Sequence, residues 1–457
     1  KKHRRVLIQS ATGSGKTALA THMAIQSVAR NRRVNFICHR AELVDGTSKT
    51  FHKFGLPHGY IAAGRPMTIA TMANVCSIDT LKARLAAVKE PDIAIWDECH
   101  HMGAAGWQLV QKAWPNAYHI GLSATPWRLD GTGLGDFFDA MVMGPTVAWL
   151  IENGHLSQYR VYAPHVPDMK GARKSMGDYA KSDAASRMDK PKLTGDAIAH
   201  WKRYASGLRT VVFCVTIAHS KNVAEQFNAA GVPAAHLDGG TPKAERRRII
   251  QEYAAGRILV LCNVDLFGEG FDLSSIAQTD VTIDCVMLMR PTQSLSLHLQ
   301  MLGRALRPYL GKIAIILDHA GNTSRLGFPD DEHEWKLEGR EKGRGKKKPE
   351  GPPPPITCDH CFQQIRRPLP PKCPTCDKLL LADAAMPKAD DGELVEVTEA
   401  EKKRIRAKRK QEEAEALDLG ALIALGASRG YKNPATWARK KFQGSSWRKR
   451  LAAEPNA

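Results

Sequence analysis

The sequence predicts an α/β protein of two tandem parallel-sheet lobes, followed by a small cysteine module and a basic helical tail. Three observations carry that prediction. Short apolar runs alternate with helix-like segments in two successive blocks, with a polar stretch between them. The runs lack the polar alternation of half-exposed strands, as strands covered on both faces should. Four of the ten cysteines fall into two Cys-x-x-Cys pairs beyond the second block, flanked by stretches that cannot form a core.

In the first block the strand-like runs are Val6–Ile8, Val34–Cys38, Thr68–Ala70, Ile93–Trp96 and Tyr118–Leu122. Helix-like segments such as Ala18–Ala29 and Thr80–Lys89 separate them, the pattern of a parallel sheet covered by helices. Residues 165–195 are polar and read as a linker or surface excursion. Strands are then expected at Thr210–Val215, Ala234–Leu237, Ile258–Cys262, Val281–Leu288 and Ile313–Leu317, with helices at Ile217–Ala230, Pro242–Ala255 and Thr292–Leu306. Pro242 fits a first helical turn, with Thr241 as its cap. The expected divisions are 1–150 and 151–335 for the lobes, 336–355 for a basic, proline-rich linker, 356–380 for the cysteine module, 381–400 for a second linker and 401–457 for the tail.

Composition narrows the function classes. A hydrophobic fraction of 43% builds real cores. No apolar run approaches the roughly 20 residues of a membrane helix, so no membrane partner is expected. Lys+Arg of 66 against Asp+Glu of 47 gives +19, which favours a polyanion such as nucleic acid, or else a surface tuned for solubility. Cys38, Cys76, Cys99, Cys214, Cys262 and Cys285 are scattered, several within apolar runs, and read as buried thiols of a reduced, cytoplasmic protein. The chain opens on Lys1 rather than Met, which leaves an upstream segment open.

The first chemistry lies in Ala11-Thr12-Gly13-Ser14-Gly15-Lys16-Thr17, between the run Val6–Ile8 and a helix. Glycines there let backbone N–H groups curl around phosphate oxygens, and the helix start aims its positive dipole end at the same anion. Lys16 would reach the β- and γ-phosphates, and the Thr17 hydroxyl would hold magnesium. Asp97-Glu98-Cys99-His100 ends a strand, where ligands bind in such sheets. Asp97 would bind magnesium and Glu98 would polarise the attacking water. Ser123 and Thr125 follow the next strand, on a turn whose hydroxyls could bond the Asp-Glu pair and carry its state to another surface. Gln300-Met301-Leu302-Gly303-Arg304-Ala305-Leu306-Arg307 places two arginines three apart on one face, suited to a phosphate that gains charge in a transition state. Since these come from the second lobe, nucleotide is expected in the cleft between lobes.

These segments, in this order, resemble superfamily 2 helicases over about residues 1–325. The Asp-Glu-Cys-His box and Gly303-Arg304-Ala305-Leu306-Arg307-Pro308 are similar to the DNA repair, recombination and restriction-motor branch, including phage-type and bacterial members, more than to the RNA branch. The resemblance implies RecA-like lobes and an ATP-hydrolysing, nucleic-acid-stimulated enzyme. It implies that Thr12, Gly13, Ser14, Gly15, Lys16 and Thr17 bind ATP, with Gly270 and Asp272 of Gly268-Glu269-Gly270-Phe271-Asp272 approaching from the second lobe. Lys16, Asp97, Glu98, Gln300, Arg304 and Arg307 would be catalytic, with Arg307 the arginine-finger candidate. His100, Ser123 and Thr125 would couple hydrolysis to lobe closure. Arg40, in His39–Val44, and Thr71, in Thr68–Met72, would face the nucleic acid. DNA, single-stranded or forked, is the expected partner, with RNA the alternative and an ATP-gated clamp that does not unwind the third reading. Gly46 stands near a position where the family often has Gln.

Beyond the lobes, Cys358-x-x-Cys361 and Cys373-x-x-Cys376, eleven residues apart, suit four thiolates on one zinc ion, with iron–sulfur the lesser fit. Arg366, Arg367 and Lys372 could touch phosphates, or the ribbon could dock a replication or repair protein. In the tail, Arg429, Tyr431, Lys432, Trp437 and Arg439–Phe442 interleave bases with aromatics. That suits stacking on single strands or, equally, the core of a small helical domain.

Overall fold

The computed structural model describes residues 3–128, 131–164, 169–175, 178–188, 191–267, 273–339, 354–380, 399–416, 418–431 and 433–442. It divides into two compact units, residues 1–382 and 383–457.

The first unit holds two all-parallel sheets. The first lobe has seven strands: β1 Arg5–Gln9, β2 Val34–Cys38, β3 Gly59–Ile61, β4 Ala73–Ser77, β5 Ile93–Asp97, β6 Tyr118–Ser123 and β7 Ala140–Met143, in the spatial order β3-β4-β2-β5-β6-β1-β7. The central strands are apolar and covered on both faces; every residue of β2 is buried. The second sheet has six strands, ordered Ala234–Leu237, Val260–Asn263, Thr210–Phe213, Cys285–Leu288, Ile313–Asp318 and Gln158–Tyr162. Because all strands in a sheet run the same way, the segments that leave their carboxyl ends gather along one edge.

Several expectations are corrected. The run Thr68–Ala70 is not a strand; Ile69 is 46% exposed, and β4 begins at Ala73. The polar stretch 165–195 is no simple linker. Helices Lys181–Met188 and Pro191–Tyr204 begin within it, and Ala184 and Met188 are buried in the second core. Thr241 does not cap the helix after it, Lys243–Ala254; its hydroxyl receives the Asp238 N–H at 3.0 Å and Pro242 occupies the cap position. The basic linker begins later than expected. Thr132 bridges Gly339, Gly135 donates to the Leu337 carbonyl at 2.8 Å, and Leu337 packs on the first lobe's core. Residues 340–353 of that linker, and 381–398 of the second, lie outside the described residues.

In the second unit, helices Glu399–Glu415, Leu419–Ser428 and Pro434–Phe442 pack around Ala416, Leu422 and Ala438. Trp437 packs on that core, and Arg429 lies over its ring while pairing with Glu412 and Glu413 at 2.8 Å each. Those two side chains serve packing rather than strand stacking. Lys432 and residues 443–457 lie outside the described residues.

One glycine decides how the first lobe closes over β6. A Cβ at Gly121 would lie 2.4 Å from Phe138 Cζ and 2.8 Å from Cys99 Sγ. Both neighbours are fully packed, so Gly121→Ala is expected to destabilise the lobe by about 1–3 kcal/mol, measured as a lowered midpoint in thermal unfolding.

Candidate active site and nucleic-acid face

The loop after β1 turns through Gly13 and Gly15, at φ +85° and +86°, values an L side chain adopts only with strain. Helix α1, Lys16–Val28, starts directly on Gly15. The Lys16 ammonium lies over the loop, donating to the carbonyls of Ser10 at 3.2 Å and Ala11 at 3.3 Å, and Ser10 Oγ meets Ser14 Oγ at 2.6 Å. The loop is tied to the neighbouring strand: Ser10 N–H donates to Ser123 O at 3.0 Å and Gln9 Nε2 to Ala124 O at 2.9 Å.

Two strands away, Asp97 ends β5 and is 5% exposed. Burial raises its carboxyl to about 7, with the Glu98 charge adding and Lys16 opposing. Trp96, fully buried, anchors the strand from below by donating to His119 Nδ1 at 3.1 Å. Glu98 has φ +49°, a left-handed backbone that costs about 1–3 kcal/mol in a non-glycine residue and is found where function holds it. Its Oε2 is buried and lies 3.4 Å from His100 Nδ1, which is also 3.4 Å from Ser123 Oγ. Ser123 Oγ donates to Thr125 O at 2.8 Å, and Thr125 Oγ1 is hydrogen-bonded to Ser296 Oγ.

That last bond crosses between lobes. Ser296 sits in helix Leu295–Gly303, which also carries Gln300. The helix is shorter than predicted, and the chain tightens after it, with Arg304 N–H and Ala305 N–H bonding three residues back. Arg304 is 7% exposed and lines a small pocket with Arg307, Phe267 and Leu273. The second lobe meets the phosphate loop here. A Cβ at Gly303 would lie 2.6 Å from Thr12 Cβ, and one at Gly13 would lie 3.8 Å from Arg307 Cγ. Gln300 Nε2 is buried with no acceptor among the described residues. A donor-rich loop, a buried carboxylate that a cation would hold ionised, and a buried amide with no acceptor among the described residues fit a magnesium-bound triphosphate. Thr17 follows Lys16 in the first turn of α1. Gly270 and Asp272 lie outside the described residues.

The two residues expected on the nucleic-acid face are not brought together. Arg40 caps helix Ala41–Lys53 just past the carboxyl end of β2. Thr71 precedes β4, at the opposite edge of the sheet, and its hydroxyl bonds Asn74 Oδ1 at 2.8 Å and Thr68 O at 3.2 Å. The residue that ends β4, in register with Cys38 and two residues from Arg40, is Ser77. The sequence did not place Ser77 at a strand end because a competing apolar run drew the strand too early. Sequence reasoning missed Ser296, although Ser296 and Gln300 are four apart on one helical face.

Two family models match: "Type III restriction enzyme, res subunit" over residues 1–128 and "Helicase conserved C-terminal domain" over residues 190–309. A 51.5 kDa protein of a Lactococcus phage (isolate 7-9) is 35% identical over 343 residues, 75% of this chain and 72% of that protein. The chain belongs to superfamily 2 of the helicases, whose members hydrolyse ATP. A protein of Schizosaccharomyces pombe, named provisionally as mitochondrial ATP-dependent helicase irc3, is 30% identical over 72% of this helicase; the match spans 56% of that relative's own length. Among solved structures, the type ISP restriction-modification enzyme LlaBIII, bound to DNA, aligns over 68% of the helicase and 26% of its own chain at TM-score 0.50 and 15% identity, a likeness of fold.

A second cluster lies in the same unit. Cys358, Cys361, Cys373 and Cys376 place their sulfurs within 4.8 Å of one another, with Cys358–Cys376 at 3.7 Å and Cys361–Cys373 at 3.5 Å. Zinc–sulfur bonds of about 2.3 Å in a tetrahedron give sulfur–sulfur edges of about 3.8 Å, so the four fit a zinc ion. The other six cysteines are buried and unpaired by disulfides. The helicase is expected to carry one zinc ion per chain, checked by elemental analysis; a metal-free chain with unchanged thermal stability would contradict that reading. Ser296→Ala is expected to lower stimulated turnover about tenfold while nucleotide affinity stays within about threefold, checked by steady-state kinetics beside equilibrium binding.

Proposed function

We propose that this helicase couples ATP hydrolysis to movement along DNA or separation of its strands, in replication, repair or recombination. The observation that carries the reading is the chain of contacts across the cleft, Glu98–His100–Ser123–Thr125–Ser296, ending on the helix that leads to Arg304 and Arg307. Such a chain makes the state of the nucleotide site and the separation of the lobes one variable.

In this mechanism the loop N–H groups from Thr12 to Gly15 and the Lys16 ammonium hold the phosphates. Thr17 and Asp97 would hold magnesium, which would supply positive charge against the developing charge on the phosphate. Glu98 orients the attacking water, and Gln300, Arg304 and Arg307 stabilise the γ-phosphate from the second lobe. Release of phosphate removes the anion that draws the arginines toward the loop, and the lobes separate. Arg40 and Ser77, at one edge of the first sheet, would touch the strand. Four thiolates would hold zinc as a structural ion.

DNA is favoured over RNA by the restriction-type match in the first lobe and by the DNA-bound state of LlaBIII. Turnover measured with single-stranded DNA, forked DNA and RNA tests this. DNA is expected to stimulate at least about tenfold more than RNA, the scale of a few interactions made only in the activated state. Equal or greater stimulation by RNA would overturn the choice, and stimulation without strand displacement would favour a clamp. Lys16→Ala and Glu98→Gln are each expected to lower turnover by about 100-fold or more while strand binding persists.

A further inference from the structure

Arg366 was a candidate phosphate contact in the sequence, yet its side chain, 44% exposed, is engaged by two carboxylates of the second lobe. It pairs with the carboxylates of Asp330 and Asp331, its Cζ lies 4.3 Å from the Phe328 ring centroid, and it donates to Tyr159 OH at 3.0 Å. Arg366 directly follows strand Gln364–Ile365 of the cysteine module, whose core is Cys358, Cys361, Ile365 and Cys373.

The module is fastened to the second lobe by its backbone as well. Ala163 N–H donates to Phe362 O at 2.9 Å, Tyr162 bridges Gln363, and Tyr204 OH donates to Cys361 O at 3.0 Å. From Arg366 the contacts continue toward the cleft. Asp331 is 6% exposed at its side chain, and its other oxygen accepts the Phe328 N–H at 2.7 Å. Gly327 packs so closely on that carboxylate that a Cβ there would lie 2.3 Å from Asp331 Oδ2. The Gly327 carbonyl accepts from His298 Nε2 at 2.9 Å, and His298 is fully buried on the helix that carries Ser296 and Gln300. Further along, the same segment reaches the first lobe, where Trp127 Nε1 donates to Lys336 O at 2.8 Å and Trp127 packs edge-on against Trp335. Trp127 is two residues from Thr125.

We propose that Arg366 is a positioning residue for ATP hydrolysis, transmitting the fold of the cysteine module through Asp331 and Gly327 to the helix that presents Gln300, Arg304 and Arg307. The inference rests on the reading that those arginines serve the γ-phosphate. The module then acts as a buttress of that helix, with Arg366 committed to the path rather than to a phosphate.

The test uses the full chain with a single-stranded oligothymidylate as activator. Arg366→Ala is expected to keep the zinc content and the affinity for a non-hydrolysable ATP analogue of the unaltered protein, and to lower kcat about tenfold, the loss of a slightly misplaced catalytic group. Asp331→Asn, which keeps size and shape, is expected to give a similar loss, and the double variant no more than either alone, since both break one path. Unchanged kcat in Arg366→Ala, additive losses, or a loss that falls on KM rather than kcat would each overturn the proposal. Should Arg366→Ala fail to fold, the Asp331→Asn result decides by itself: a normal kcat overturns the path. Arg307→Ala serves as the separate control, because a normal kcat in that variant would remove the underlying reading without bearing on Arg366.

Discussion

The structure depends on one close approach, the backbone of Gly303 against the side chain of Thr12. No side chain fits between them, so the second lobe can bring its arginines to the phosphate loop only because position 303 has none. Beside it, Thr125 and Ser296 join hydroxyl to hydroxyl across the same gap. A site assembled from two sheets exists only while the sheets touch. On the proposed reading, lobe separation is the off-state and lobe contact the on-state.

The first lobe holds its half of the site under tension. Asp97 is buried beside Glu98, and Glu98 adopts a left-handed backbone. Neither arrangement is favourable alone. Both are held by a rigid base: Trp96, Trp107 and Trp114 pack under the end of β5, and Gly121 lets Phe138 and Cys99 close over the next strand. A cation among these carboxylates would relieve the burial of charge, and on the proposed reading part of that cost would return as affinity for a metal-bound nucleotide. The segment 327–339 adds a constraint from outside, since it touches the cysteine module, the catalytic helix and the first lobe in turn.

The central strands and the cleft motifs were legible because burial on both faces leaves an unbroken apolar signature, as in Val34–Cys38 and Thr210–Phe213. Of the edge strands of the two parallel sheets, Ala234–Leu237 was legible, but Gly59–Ile61, Ala140–Met143 and Gln158–Tyr162 were not. Gln158–Tyr162 mixes exposed Gln158 and Arg160 with buried Val161, and Gly59–Ile61 is too short to show a period. Thr68–Ala70 imitates a buried strand, and reading it as one places Thr71 at a strand's carboxyl end, whereas it precedes β4. Leu337 reads as the start of a linker because Glu338, Gly339 and Arg340 follow it, and only the folded chain shows its return to the first lobe. Arg366 and Arg429 show the same limit from the other side. An arginine among bases looks like a phosphate contact until the carboxylates that distant sequence brings to it are seen.

The most direct measurement is turnover in Gly303→Ala compared with its affinity for an ATP analogue. A methyl group there would press on the Thr12 side chain and hold the lobes apart, its nearest contacts falling on Thr12 rather than on Lys16 or Thr17. The account predicts a fall in kcat of about tenfold or more with analogue affinity within about threefold of the unaltered chain. Full turnover in that variant would mean that the two lobes do not share one catalytic centre.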